Sequence, residues 1–204
     1  MHIFFSGIGG AGIGPLAEIA FQAGYEVSGS DKQMSAYIKV LKEKGIKDIS
    51  TIQSYENISK VHNQKPIDWL VYSSAVTLED PNSPELKFAK DHNIKFTKRD
   101  ELINQIVLDN NLKLIAVAGT HGKTTTTAML VWMAYRLNLD VSYLLPAKTS
   151  FAELGKFSPT SQYFIIEADE FDRNFLKFKP YHSIITGLAW DLLMLQLNYT
   201  PANR

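Results

Sequence analysis

Ile3-Phe4-Phe5-Ser6-Gly7-Ile8-Gly9-Gly10-Ala11-Gly12 is an apolar run that gives way to glycine, and its reading sets the fold. The run over 3–6 predicts a short buried strand. Beyond the glycines, Ile13, Leu16, Ala17 and Ala20 recur at i, i+3, i+4, i+7, the period of a helix with one apolar face, and Gly24 ends it. Strand, glycine turn and helix in that order open a parallel βα unit. Gly7, Gly9 and Gly12 fit G-x-G-x-x-G, and Gly10 adds a further residue without a side chain. Backbone N–H groups can approach a diphosphate there, because no Cβ stands in the way and the helix N-terminus favours an anion. Asp31 follows the next predicted strand, where an acidic residue would meet a ribose or similar polar group. NAD fits this pattern, and so does any other ligand with a diphosphate.

The same alternation continues. Strands are predicted over 25–29, 67–72 and 94–97, and helices over 35–44 and 84–91. Asp100 reads as the N-cap of a helix to about 107. The polar stretch Asp109-Asn110-Asn111 reads as a linker, which divides the chain into domains over 1–108 and 109–204. Beyond it, strands are predicted over 114–118, 141–145, 163–166 and 184–186. A helix from Lys123 carries Leu130, Met133, Ala134 and Leu137 on one face. The fold class is therefore α/β: a Rossmann-like N-terminal domain, then a short P-loop ATPase-type α/β domain.

That second domain opens on Ala118-Gly119-Thr120-His121-Gly122-Lys123-Thr124-Thr125, again between strand and helix. Backbone amides of such a loop can wrap the phosphates of ATP, Lys123 can reach the terminal oxygens, and the Thr124 hydroxyl can ligate Mg²⁺. The loop is shorter than the usual G-x-x-x-x-G-K-[ST], because Val117 stands where the first glycine would fall. A lysine at a helix N-terminus is electrostatically unfavourable without an anion, so Lys123 asks for a phosphate. The strand over 163–166 ends in Glu167-Ala168-Asp169-Glu170. Glu167 would stand near the loop and hold Mg²⁺ directly or through water. His121 either meets phosphate or fills a turn. The other histidines show no ligand spacing, and Trp69, Trp132 and Trp190 read as core.

Composition narrows the classes further. Of 204 residues, 45% are hydrophobic and 21% charged, enough for an ordinary core. Lysine plus arginine (21) balances aspartate plus glutamate (21), which argues against a broad basic face for nucleic acid or anionic lipid. There is no cysteine, so disulfides and thiolate chemistry are excluded. No apolar run approaches the ~18 residues of a membrane span, and His2-Ile3-Phe4-Phe5 lacks the basic lead of a secretory signal. A cytoplasmic protein is expected.

Taken as an ordered set, Gly7-Ile8-Gly9-Gly10, Ser28-Gly29-Ser30-Asp31, Ser73-Ser74-Ala75, Arg99 before Asp100-Glu101, the loop from Ala118 to Thr127, and Glu167-Ala168-Asp169-Glu170 resemble the Mur ligases over about residues 1 to 191. The resemblance implies a first domain binding UDP-N-acetylmuramate through Gly7, Gly9, Gly10, Gly12, Asp31, Ser73 and Ser74. It implies a central domain binding ATP through Gly119, Thr120, His121, Gly122, Lys123, Thr124 and Thr125, with Thr124 and Glu167 on Mg²⁺. The implied reaction activates the sugar-nucleotide carboxylate as an acyl phosphate, which the amine of L-alanine attacks to form an amide. Lys123 and Glu167 would carry the catalysis. Two departures bear on this. Phe171, within Glu167-Ala168-Asp169-Glu170-Phe171-Asp172, puts an aromatic where alanine-adding members have serine, as in members that recycle a ready-made murein tripeptide. Asp191 is followed by Leu192 rather than the family's histidine, and the family's C-terminal domain has no counterpart here. The chain is thus expected to be a fragment that binds nucleotides without completing ligation. The alternatives are a tripeptide ligase, a non-catalytic nucleotide-binding remnant, or an NAD-dependent oxidoreductase, against which the second loop speaks.

Overall fold

The computed structural model describes residues 1–168 and 178–187. Asp169, Glu170, Phe171, Asp172, Trp190, Asp191 and Leu192 lie outside the described residues. The chain divides into two compact units, Met1–Ile106 with Gly155–Phe157, and Val107–Leu154 with Ser158–Arg204.

The first unit runs β1 (His2–Ser6), α1 (Gly14–Gln22), β2 (Glu26–Ser30), α2 (Ala36–Glu43), β3 (Ile49–Ser50), α3 (Tyr55–Gln64), β4 (Trp69–Tyr72), α4 (Ser74–Glu79), α5 (Pro84–Asp91), β5 (Lys95–Thr97) and α6 (Arg99–Asp109). The strands lie in the order β3-β2-β1-β4-β5 and all pair in parallel. β1 sits at the centre, with Ile3 opposite Val27 on one side and Trp69 on the other. Ile3, Phe4 and Phe5 are all fully buried, as a strand covered on both faces requires. From β1 the chain winds outward through β2 and β3, then crosses to β4 and β5 on the other side. The direction reverses between β1 and β4, and a doubly wound sheet opens its ligand crevice at that reversal.

Further along the chain come β6 (Lys113–Ala118), α7 (Lys123–Arg136), β7 (Ser142–Leu144), β8 (Gly155–Lys156), β9 (Tyr163–Glu167) and β10 (His182–Ile185). Their sheet runs β10-β6-β9-β7-β8, with β6 parallel to both β10 and β9, and β7 parallel to β9. Val131, Ala134, Val141, Tyr143, Leu145 and Ile165 form its core.

The α/β fold read from the sequence is the fold observed, with differences of detail. Asp100 is not an N-cap: α6 begins at Arg99, and Asp100 is fully buried in the first turn. A carboxylate favours both positions, because each faces the positive end of the helix dipole. The buried face of α7 consists of Thr127, Val131 and Ala134, while Met133 and Leu137 are exposed. Trp69 is core, but Trp132 is exposed beside Arg136. Helices α3 and α4 have weak apolar signals: α3 fully buries only Ile58, with Tyr55 and Val61 partly buried beside it, and α4 buries nothing. Serine caps start them instead: Ser54 accepts from the Asn57 N–H at 3.1 Å and Ser73 from the Ala75 N–H at 3.1 Å.

Where α3 packs on α5, half-buried His62 meets the Phe88 ring edge-on and the exposed His92 ring stacks on Phe88. His62 Nδ1 accepts the Ile67 N–H at 3.1 Å, so the neutral ring is the bonded form. Burial, then His92 and His2, push its pKa below the ordinary 6.5. Its contribution to stability is therefore present above pH 6.5 and is lost as pH falls through the lower folded value. Urea unfolding of His62→Asn should show a smaller loss of stability than the parent chain between about pH 7.5 and pH 5, after the parent's other pH effects are subtracted as a common background. Parallel curves for the two proteins would contradict the assignment.

Candidate functional site

The first crevice is built from the carboxyl ends of β1, β2 and β4. Gly7 takes φ +81°, a conformation that a side chain would strain, and its N–H and that of Ile8 both donate to the Ser30 carbonyl, at 2.9 and 3.0 Å. Gly9 has a packing reason as well: a Cβ there would meet Ser35 Oγ at 2.7 Å and Asp31 Oδ2 at 2.9 Å. Asp31 uses its carboxylate on the backbone, accepting from the Gly9 N–H (2.8 Å) through one oxygen and from the Lys32 N–H (2.8 Å) through the other. It thereby shapes the glycine loop. Gly10 is exposed and turns the chain by donating to the Gly7 carbonyl at 3.1 Å.

Ser73 and Ser74 come to the same crevice from β4. The Ser73 N–H donates to the Ser6 carbonyl at 3.2 Å, and its Cβ lies 3.3 Å from the point where a Gly7 Cβ would stand. Ser74 opens α4. Arg99, which the sequence flagged only within the motif order, brings its Nη1 to 3.0 Å from the Cβ position of Gly12. A guanidinium against a glycine loop is a natural partner for a phosphate. The sequence signal for it is a basic residue just beyond β5, a parallel strand whose carboxyl end faces the same way as that of β1.

Beneath the loop sits Glu85, which the sequence reading passed over as one residue of a helix. It is fully buried and accepts from the hydroxyls of Ser6 and Ser30, each at 2.5 Å. Burial drives its pKa up to about 7, although the two serines pull the other way. A carboxyl raised above its ordinary 4.5 contributes stability that is complete below that value and is lost as pH rises through about 7. The melting temperature of Glu85→Gln relative to the parent should therefore rise between about pH 5 and pH 8. A pH-independent difference would show that the parent carboxyl titrates normally.

The second loop lies wholly in the second unit. Gly119 takes φ +134°, and a Cβ on it would meet Thr186 Oγ1 at 2.4 Å and the Gly187 carbonyl at 2.9 Å. Val117 replaces a loop glycine because it still belongs to β6, paired with Glu167 and Ile184. Gly122 is the left-handed N-cap of α7, and no side chain caps the helix. The first turn therefore lacks a capping side chain at its positive end, as an anion site requires. Lys123 is buried, 9% exposed, with Nζ on the Gly119 carbonyl (2.6 Å) and near that of Thr120 (3.5 Å). The Thr120 N–H donates to the Gly187 carbonyl at 3.0 Å. Thr186 accounts for much of the loop's shape: its Oγ1 donates to the His121 carbonyl at 2.5 Å and lies 3.2 Å from that of Ala118. The His121 side chain is exposed.

Thr124 Oγ1 donates to Glu167 Oε2 at 2.8 Å, so the two oxygens expected around a cation meet at one point. No group of three or more carboxylate or imidazole side chains that could hold a metal occurs among the described residues. Two oxygen ligands suit Mg²⁺, which keeps several waters and takes the rest of its shell from phosphates. The uncapped amides, buried ammonium and hydroxyl–carboxylate pair thus fit a nucleotide triphosphate with its metal. Thr124 and Thr125 also line a cavity of about 360 Å³ together with Met129, Trp132, Pro146 and Phe151.

Comparison with known proteins identifies what the chain is similar to. A family model described as "Mur ligase family, catalytic domain" matches residues 2–110. A UDP-N-acetylmuramate–L-alanine ligase from Agathobacter rectalis is 40% identical over 193 residues, 95% of this chain and 40% of the relative. One from Clostridium botulinum is 36% identical over 191 residues, 94% of this chain and 39% of the relative. The chain spans about 40% of the length of the curated relatives it matches. Among solved structures, the UDP-N-acetylmuramate–alanine ligase of Thermotoga maritima superposes with a TM-score of 0.79 at 28% identity, covering 98% of this chain and 44% of the other. The UDP-N-acetylmuramate:L-alanyl-gamma-D-glutamyl-meso-diaminopimelate ligase of Neisseria meningitides gives 0.78 at 26% identity, covering 96% of this chain and 65% of the other.

Proposed function

The chain belongs to the Mur ligase family, and on that premise we propose that it is the sugar-nucleotide-binding and ATP-binding portion of a ligase that joins L-alanine to UDP-N-acetylmuramate. Residues 1–108 form the UDP-sugar domain and residues 109–204 the ATP domain of this reading. The observation that carries it is the buried Lys123 ammonium at an uncapped helix N-terminus, one residue from the Thr124–Glu167 pair. Both reacting groups, a carboxylate and a phosphoryl group, are anions, and they approach only where positive charge offsets their repulsion. ATP with Mg²⁺ supplies the phosphoryl group and the Lewis acid.

The chain's own residues do the rest. Lys123 neutralises the terminal phosphate oxygens, the amides of Gly119 to Thr125 orient them, and Thr124 and Glu167 hold the cation. In the first unit the loop of Gly7, Gly9, Gly10 and Gly12 receives the diphosphate, Asp31 fixes that loop, Ser73 and Ser74 face it from β4, and Arg99 adds charge. The alanine-adding relatives favour L-alanine as the second substrate, while the likeness to the tripeptide ligase and Phe171 favour the recycling reaction as the second reading. No helix among the described residues is long and apolar enough to cross a membrane, in keeping with small-molecule substrates and a cytoplasmic site of action.

Calorimetry with UDP-N-acetylmuramate, Mg-ATP and NAD tests the reading. The first two should bind and NAD should not. Lys123→Ala should weaken Mg-ATP by about a hundredfold or more, since it removes a charge-assisted bond to phosphate, and leave the sugar nucleotide within about twofold. Binding of NAD alone would replace the ligase reading with an oxidoreductase.

A further inference from the structure

Glu85 is a buried acid whose described hydrogen bonds go to two serines behind the crevice. It stands 79 residues from Ser6 and 55 from Ser30 in the chain, yet each of its oxygens takes a hydroxyl from one of them. Those serines are the last residues of β1 and β2, and both are fully buried. Their main chains hold the two sides of the crevice. The Ser30 carbonyl takes the amides of Gly7 and Ile8, and the Ser6 carbonyl takes that of Ser73. Glu85 therefore lies one residue behind the glycine loop on one side and the β4–α4 turn on the other. Burial costs the carboxyl its hydration, and the two serine hydroxyls are what offset that cost.

We propose that Glu85 is a positioning residue for a nucleoside diphosphate at the first glycine loop, resting on the reading of that loop as a diphosphate site: its two oxygens pin Ser6 and Ser30, and the carbonyls of these serines fix the start of the glycine loop and the β4–α4 turn that border the crevice. Ionised, as it is above about pH 7, the group offers two acceptors and no donor to two hydroxyl donors. A carboxamide offers one acceptor and one donor group, so one serine must reverse and the clamp becomes asymmetric.

The test uses the whole 204-residue chain, with UDP as the probe. Affinity is measured by calorimetry for the parent, Glu85→Gln, Ser30→Ala and the double variant, with melting temperatures and amide exchange at Gly7 and Ile8. Glu85→Gln should weaken UDP binding about tenfold, the size of one lost hydrogen bond in a buried setting. Ser30→Ala should do much the same, and the double variant should be no weaker than the weaker single, because both act through one link. Gly7 and Ile8 amides should exchange faster in Glu85→Gln while the melting temperature near neutral pH stays within a few degrees of the parent. Unchanged UDP affinity in Glu85→Gln, strictly additive losses in the double variant, or weakening that merely follows a collapse in melting temperature would each overturn the positioning role. If the parent itself fails to bind UDP, the diphosphate reading of the loop falls and this role falls with it.

Discussion

A parallel strand that ends in a glycine turn and then feeds a helix lets an anion approach the positive end of that helix with no Cβ in the way. Both units of this chain are organised around that condition. Side chains are excluded from the turn so that the amides remain reachable, and everything nearby either shapes the turn or supplies charge to it. In the first unit the shaping falls to Asp31 and to the Ser30 carbonyl. In the second it falls to Thr186 and Gly187 at the end of β10. The two solutions differ in detail and share one physics: a turn without side chains brings an anion close to a helix N-terminus.

Charge is distributed differently in the two loops. The second carries its own cation, Lys123, inside the motif and keeps it almost buried against loop carbonyls. The first has none in its sequence and draws Arg99 from the start of α6, a helix far along the chain. The acidic groups follow the same division. Glu167 faces outward beside Thr124, where a hydrated cation could join them, whereas Glu85 is sealed beneath the sheet's end and bonds only to serines among the hydrogen bonds described.

Much of this was legible in the residues themselves. Glycine loops between strand and helix are local in sequence, so Gly7, Gly9, Gly119, Gly122 and Lys123 could be placed before any geometry was known. Thr124 and Glu167, 43 residues apart, could be paired because parallel strands put their carboxyl ends on one side. Arg99, Thr186 and Glu85 could not be, since their partners are fixed by strand order rather than by spacing. Helix α7 illustrates another limit. Its apolar residues run around most of its surface, and which face is buried was decided by the sheet beneath it, which selects Thr127, Val131 and Ala134. Helices α3 and α4 were hidden because capping serines, rather than apolar faces, define them.

The claim at the centre of this account is that the two loops take two different phosphate ligands. Amide chemical-shift mapping of the isotope-labelled chain addresses it directly. Saturating UDP-N-acetylmuramate should move the resonances of residues 7–12 and leave 119–125 in place, and Mg-ATP should do the reverse. Both ligands moving the same loop, or Mg-ATP leaving the amides around Lys123 undisturbed, would contradict it.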